Sequence, residues 1–87
     1  MKNWDVIKKF VNGEKEGRTK HLFIEGNVLY SYGHHFPIAI RTNMFIVNMD
    51  KYSVTTSRHQ SYLRGMLEGY VSSNTKEMQE MIRNESN

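Results

Sequence analysis

At 87 residues the chain offers one domain and one modest core; a domain of this size removes roughly 60–65% of its unfolded surface from water, which argues against a deep cleft between two lobes. It has no cysteine, so disulfides and thiolate metal sites are excluded and an intracellular, cytoplasmic setting is expected. The net charge of +3 conceals a gradient: residues 1–64 hold ten Lys and Arg against five Asp and Glu, and residues 65–87 two against four. A basic body with an acidic tail suits an anionic partner, an oppositely charged docking surface, or plain solubility.

The start of the chain lacks the apolar run of a leader peptide or a membrane span. Asn3 reads as an N-cap with Asp5 in the first turn, and Trp4, Ile7, Phe10 and Val11 recur at helical spacing, predicting a helix over 3–12 that Asn12-Gly13 ends. From Arg18 the period shortens to two, with Leu22 and Ile24 on one face and His21, Phe23 and Glu25 on the other. Gly26-Asn27 turns into a second strand, Val28 to Tyr32. Gly33 to Pro37 interrupts the pattern, because proline cannot donate to a ladder and holds Phe36 extended. Strands over 38–41 and 44–47 follow around a Thr42-Asn43 turn, so residues 18–48 read as a four-stranded antiparallel meander.

Ser57 and Gln60 stand at capping-box spacing and open a helix expected over 57–71. Its rows Tyr62-Met66-Tyr70 and Leu63-Leu67-Val71 predict that it covers the sheet, with Arg64 and Glu68 in solvent and Gly65 marking a close approach. After Ser72 to Asn74, Asn74 and Glu77 begin a last helix over 75–84 with Met78, Met81 and Ile82 inward, and 85–87 is read as a frayed tail. The expected fold class is α+β, in the order α-β-β-β-β-α-α.

Ile24 to Ala39 and Asn48 to Gln60 form a two-part pattern: Tyr32-Gly33, His35-Phe36-Pro37, then Tyr52-Ser53, Thr55-Thr56 and His59-Gln60. Across residues 22–62 it resembles small, functionally uncharacterised proteins of bacteriophages, other mobile elements and some prokaryotic genomes. The resemblance implies a viral or mobile-element setting and carries no catalytic residue across.

The side chains limit the chemistry. His21, His34, His35 and His59 are the only imidazoles, and neither a HExxH nor a helical His pair is present, so no metal site or cofactor is expected. A nucleophile elbow is also missing. Metal-free acid–base work by His34 or His35 opposed to His59 is conceivable, which makes a nuclease-like enzyme the third reading. Thr55, Thr56, Ser57, Arg58, His59 and Gln60 place hydroxyls, amides and a cation at a helix start, a phosphate-type site if they do more than cap the helix. Tyr30 and Tyr32, two apart on one strand, share a face. With Tyr52 and with Lys20, Arg41, Lys51 and Arg58 they can stack bases and hold phosphates, or they can pack as amphipathic core. The 52–60 segment is expected to lie beside 33–37, gathering His34 or His35, Thr55, Thr56 and His59 into one polar cluster.

Two functional readings follow. One is a non-enzymatic binding module that occupies a host protein's surface, such as that of a defence or nucleic-acid-processing factor. The other is a nucleic-acid-binding accessory protein that uses its basic sheet and the Thr55 to Gln60 helix start. Homo-oligomerisation suits either, since a small core gains from association.

Overall fold

Gly26 takes a left-handed φ of 65°, the conformation a tight hairpin requires and a side chain resists. The turn sets Leu22 opposite Ser31 and Ile24 opposite Leu29. Around this hairpin the chain, described for residues 2–85 without the side chain of Glu85 in a computed structural model, folds in chain order as helix α1 (Asn3–Val11), strands β1 (Glu16–Arg18), β2 (Leu22–Glu25), β3 (Val28–Ser31), β4 (Pro37–Arg41) and β5 (Phe45–Asn48), helix α2 (Val54–Met66), strand β6 (Val71–Ser73) and helix α3 (Thr75–Glu85). The class is α+β. Residues 86–87 of the expected tail lie outside the described residues.

The sheet has six strands in sequential order, not four. Strands β1 to β5 are antiparallel neighbours, and β6 joins β5 in parallel, Ile46 facing Val71 and Asn48 facing Ser73. A parallel neighbour needs a crossover, and α2 provides it. Both added strands are short and polar, so neither carries an apolar alternation. β1 is held by packing: a Cβ on Gly17 would lie 3.3 Å from Ile24 Cδ1 and 3.7 Å from Val6 Cγ1, so this edge runs tight under α1.

Both faces of the sheet are covered. Above it, Val6, Ile7 and Phe10 of α1 and Leu63 of α2 meet Leu22, Ile24, Leu29 and Val47. Below it, Met78 of α3, with Met81 and Ile82 beside it, covers Phe23, Val28, Tyr30 and Ile40. A strand buried on both faces reads as a continuous apolar run, which is why Leu22-Phe23-Ile24 is buried throughout.

The helices differ from expectation in ways that matter for function. α1 starts at Asn3 rather than after it; Lys2 is the N-cap, and its N–H donates to the Asp5 carboxylate at 3.0 Å. Trp4 is 46% exposed. α2 starts three residues early, at Val54, and ends at Met66, because Leu67 is extended and the chain must straighten into β6. Of the row expected inward, only Leu63 is fully buried; Met66 and Leu67 are partly buried, Tyr62 and Tyr70 are exposed, and Arg64 is half-buried rather than free in solvent. Nothing lies within 4 Å of a Cβ built on Gly65, so this glycine loosens the end of a helix and clears space for no neighbour. α3 matches its predicted start: Asn74 Oδ1 accepts the Glu77 N–H at 2.9 Å, and Asn74 Nδ2 donates to the Glu77 carboxylate at 2.6 Å.

Leu63→Ala and Met78→Ala each remove a fully buried side chain, one per face, and each is expected to cost about 2–5 kcal/mol in chemical denaturation. Leu67→Ala, at a partly buried position, should cost less. A Met78 variant as stable as the parent would detach α3 from the folded core.

Candidate binding surface and the polar seam beneath it

The polar segment from Tyr52 to Gln60 divides into side chains consumed by the fold and side chains left on its surface. Ser53, not Ser57, caps α2: its Oγ accepts the Thr56 N–H at 3.1 Å. Thr56 is fully buried, and its hydroxyl meets Ser31 Oγ at 3.0 Å and Ser53 Oγ at 3.1 Å. Gln60 closes no capping box. It is buried, and its amide donates to the carbonyls of Asn48 (2.8 Å) and Asp50 (2.9 Å), tying α2 to the end of β5.

His59 belongs to a relay whose hydrogen positions can be deduced. Thr19 Oγ1 accepts the N–H groups of His21 (3.2 Å) and Leu22 (3.0 Å). Both lone pairs are then occupied, so its proton goes to Asn3 Oδ1. That orients the Asn3 amide, and Asn3 Nδ2 donates to His59 Nε2 at 3.1 Å. His59 is therefore the neutral tautomer with its proton on Nδ1, where it is buried without a protein partner among the described residues; His21 Nδ1 is likewise unpartnered. Burial, and then the His21 imidazole, hold His59 below the ordinary imidazole value.

The other histidines go elsewhere. His34 Nε2 meets the Glu25 carboxylate at 2.6 Å and packs on Tyr30, while His35 Nε2 meets the Tyr52 hydroxyl at 3.2 Å. The 33–37 and 52–60 segments do touch, through His35, Phe36 and Tyr52. The single His–Thr cluster does not form, because His34, His35, His59 and Thr56 have separate partners. Tyr30 and Tyr32 do not share a face. Tyr30 is buried under α3 against Phe23, where burial and then Glu25 raise its hydroxyl's pKa. Tyr32 has a φ of 65°, an uncommon conformation for an aromatic residue, and its exposed ring lies against His21 and Tyr52.

The basic candidates separate too. Arg41 donates to the carbonyls of Phe10 (2.6 Å), Glu14 (3.4 Å) and Gly26 (3.4 Å), and its guanidinium lies 4.9 Å from the Phe10 ring centroid. It braces the sheet and offers little to a ligand. Lys20, Lys51 and Arg58 are exposed, and Thr55 and Ser57 are half-buried on α2.

What remains outside is a pair of shallow grooves along α2. One, of about 600 Å³, is lined by residues that include Met49, Lys51, Tyr52, Val54, Ser57, Ser61 and Arg64; its neighbour adds Arg58 and Tyr62. Between α1 and α2 a third groove holds Trp4, Lys8, Val11, Asn12 and Met66, with Lys8 Nζ 5.1 Å from the indole centroid. Trp4, Lys8, Tyr62 and Arg64 were not among the candidate residues because Trp4 and Tyr62 fall on the apolar helical period, which cannot separate a core stripe from an exposed one.

The chain belongs to DUF8033, a family of unknown function whose model matches residues 2–83. No curated protein and no solved structure matches it. Among the described residues of this DUF8033 chain, no helix is long and apolar enough to cross a membrane, and no group of three His, Cys, Asp or Glu side chains could hold a metal ion.

The relay has a pH signature. The folded state keeps His59 neutral, whereas the unfolded chain takes up a proton near the ordinary value of about 6.5. The unfolded state therefore binds more protons, and the stability associated with His59 is present above that pH and lost as the pH falls below it. His59→Gln should lower the melting temperature at pH 7.5, with a gap to the parent that narrows toward pH 5. A constant gap would dissociate His59 from the acid sensitivity.

Proposed function

We propose that this DUF8033 protein is a non-enzymatic binding module, of bacteriophage or mobile-element origin and at work in the cytoplasm of the host cell. It acts by occupying an anionic partner through the outer surface of the α1–α2 layer. The observation that carries this reading is the segregation of charge between the two helical layers. α1 and α2 hold Lys8, Lys9, Arg58 and Arg64 against Asp5 alone, whereas on α3 Lys76 and Arg83 are balanced by Glu77 and Glu80. Lys51 adds a further cation at the base of α2, and the grooves along α2 contain no carboxylate. A cationic face on one side of a small domain orients an approaching anionic partner and accelerates its capture.

The non-enzymatic part rests on where the candidate groups are spent. His59 Nε2 is engaged by Asn3, His34 by Glu25, and Gln60 by two carbonyls. Each serves to hold α2 or a loop in place. A host protein with an acidic docking surface is one partner of the right charge, and inhibition of a defence or nucleic-acid-processing factor is what such occupancy would achieve.

The test is capture from host lysate by the tagged protein and by the double variant Lys51→Glu/Arg58→Glu. Both positions are exposed, so the melting temperature should move by only a degree or two, while retention of the partner is lost. Equal retention by parent and variant would remove the α2 surface from function. Multiple turnover of any substrate by the parent would overturn the non-enzymatic reading.

A further inference from the structure

A small domain has every reason to bury its large aromatic residues, yet the single tryptophan of this chain is 46% exposed and Tyr62 is 53% exposed. The two sit on neighbouring helices, Trp4 in the groove between α1 and α2 and Tyr62 in a groove along α2. The Asn3–His59 hydrogen bond of 3.1 Å holds the start of α1 against α2, and about two turns further along α2, Met66 lines a groove with Trp4 and Lys8. Tyr62 lies on α2 between those two contacts, and Arg58, Tyr62 and Met66 form one i, i+4 row. Lys8 stands over the indole and Arg58 one turn from the phenol, with Ser57 and Ser61 alongside in the next groove.

We propose that this face binds single-stranded nucleic acid, with Trp4 and Tyr62 as stacking platforms for bases and Lys8 and Arg58 as phosphate contacts. The inference rests on the binding reading above and names its partner class. Charge alone would accept any polyanion. The exposed rings narrow the choice, because a flat π face is matched by a flat base that displaces Lys8 Nζ from over the indole, and the displaced cation is matched by the backbone that carries the base. An acidic protein segment offers the charge without the rings. A duplex has the rings but hides their faces in its stack, leaving Trp4 and Tyr62 nothing to cover. Hydroxyls at Ser57 and Ser61 add neutral donors of the kind that hold phosphate and sugar oxygens.

The position of Trp4 provides the assay, since it is the only tryptophan and its emission reports on the proposed site alone. Titration with oligo(dT) and oligo(rU) of about 12 nucleotides, within the usual span of a single-strand site, should quench that emission saturably. In anisotropy measurements with labelled oligonucleotide, Trp4→Ala and Tyr62→Ala should each weaken binding by roughly 5- to 150-fold, the range that base stacking confers. Affinity should fall with salt at a log–log slope of about −0.7 per phosphate neutralised, hence between about −1 and −3 for two to four cations. Circular dichroism confirms that the variants are folded. Emission unchanged by single strands at low salt up to about 100 μM, the weak end of non-specific binding, would overturn the proposal. So would equal quenching by poly-L-glutamate or by duplex DNA. If Lys51→Glu/Arg58→Glu still abolishes partner capture in that event, the binding module stands and only its nucleic-acid assignment falls.

Discussion

A buried amide at the end of β5 sets the geometry of everything after it. Asn48 is fully buried, and both ends of its side chain are engaged: Nδ2 donates to the Pro37 carbonyl (2.8 Å) and to Thr75 Oγ1 (2.9 Å), and Oδ1 accepts the Asp50 N–H (2.8 Å). Its backbone carbonyl accepts from Gln60. Four junctions meet there: the start of β4, the exit from β5, the middle of α2 and the first turn of α3. Asp50 adds a carboxylate that accepts the Thr75 N–H at 2.9 Å, a favourable charge at a helix N-terminus. An unpaired buried amide costs about 1–3 kcal/mol, so an alternative path for the crossover would have to reproduce this pattern of donors and acceptors. The parallel strand β6 follows from the constraint: once α2 is tied to β5 at Gln60 and α3 at Thr75, the short return from Leu67 to Ser73 runs alongside Asn48.

The density of hydroxyls, amides and imidazoles between Tyr52 and Gln60 has a similar explanation. Individually these groups look like the makings of a site. Collectively they form a seam through which α2, a helix with few apolar side chains, is fastened to the sheet. Leu63 is its one fully buried aliphatic, so the hydrogen bonds of Thr56 and Gln60 to the sheet and of His59 to Asn3 of α1 do for α2 what a broad apolar stripe does for an ordinary covering helix. Such bonds add modest net stability and considerable directional specificity. The same arrangement frees the outer side of α2 from any structural duty.

The sequence disclosed those features whose causes are local. Gly26-Asn27 specified its hairpin, Gly33 to Phe36 interrupted the pattern as expected although Pro37 itself opens β4 opposite Tyr30, and Asn74 with Glu77 announced α3. It was opaque where tertiary contacts decide. Ser57 and Gln60 have capping-box spacing, yet Ser53 has a free path to the Thr56 N–H and begins the helix earlier. The edge strands β1 and β6 are three residues each and largely polar; pairing creates them, not composition. Periodicity also overcounted the core. Trp4, Tyr62 and Tyr70 share a helical period with Ile7, Leu63 and Leu67, and only the path of the neighbouring helix determines which of the adjacent rows is covered. For the candidate site this meant that the residues with suggestive chemistry were mostly internal, and those with free surface looked like core.

The seam and the outer surface are mechanically connected through Asn3. This residue leads α1 and, by donating to His59, fixes where α1 lies along α2; Trp4 follows it directly in the chain. Thr19 fixes Asn3 in turn, with its hydroxyl committed by two backbone N–H groups from the turn before β2. The placement of α1, which carries the indole, against α2, which carries Tyr62, is therefore set by a chain of hydrogen bonds that begins at the turn before β2. A surface whose aromatic groups are held at fixed separation loses less conformational freedom on binding than one that must assemble them. His59 is the weakest member of that chain, because its Nδ1–H is buried without an acceptor among the described residues and its neutral form is the one the Asn3 amide requires. Protonation places a donor on both ring nitrogens, turns Nε2 from acceptor into donor against Asn3 Nδ2, and so opposes the contact that aligns the two helices.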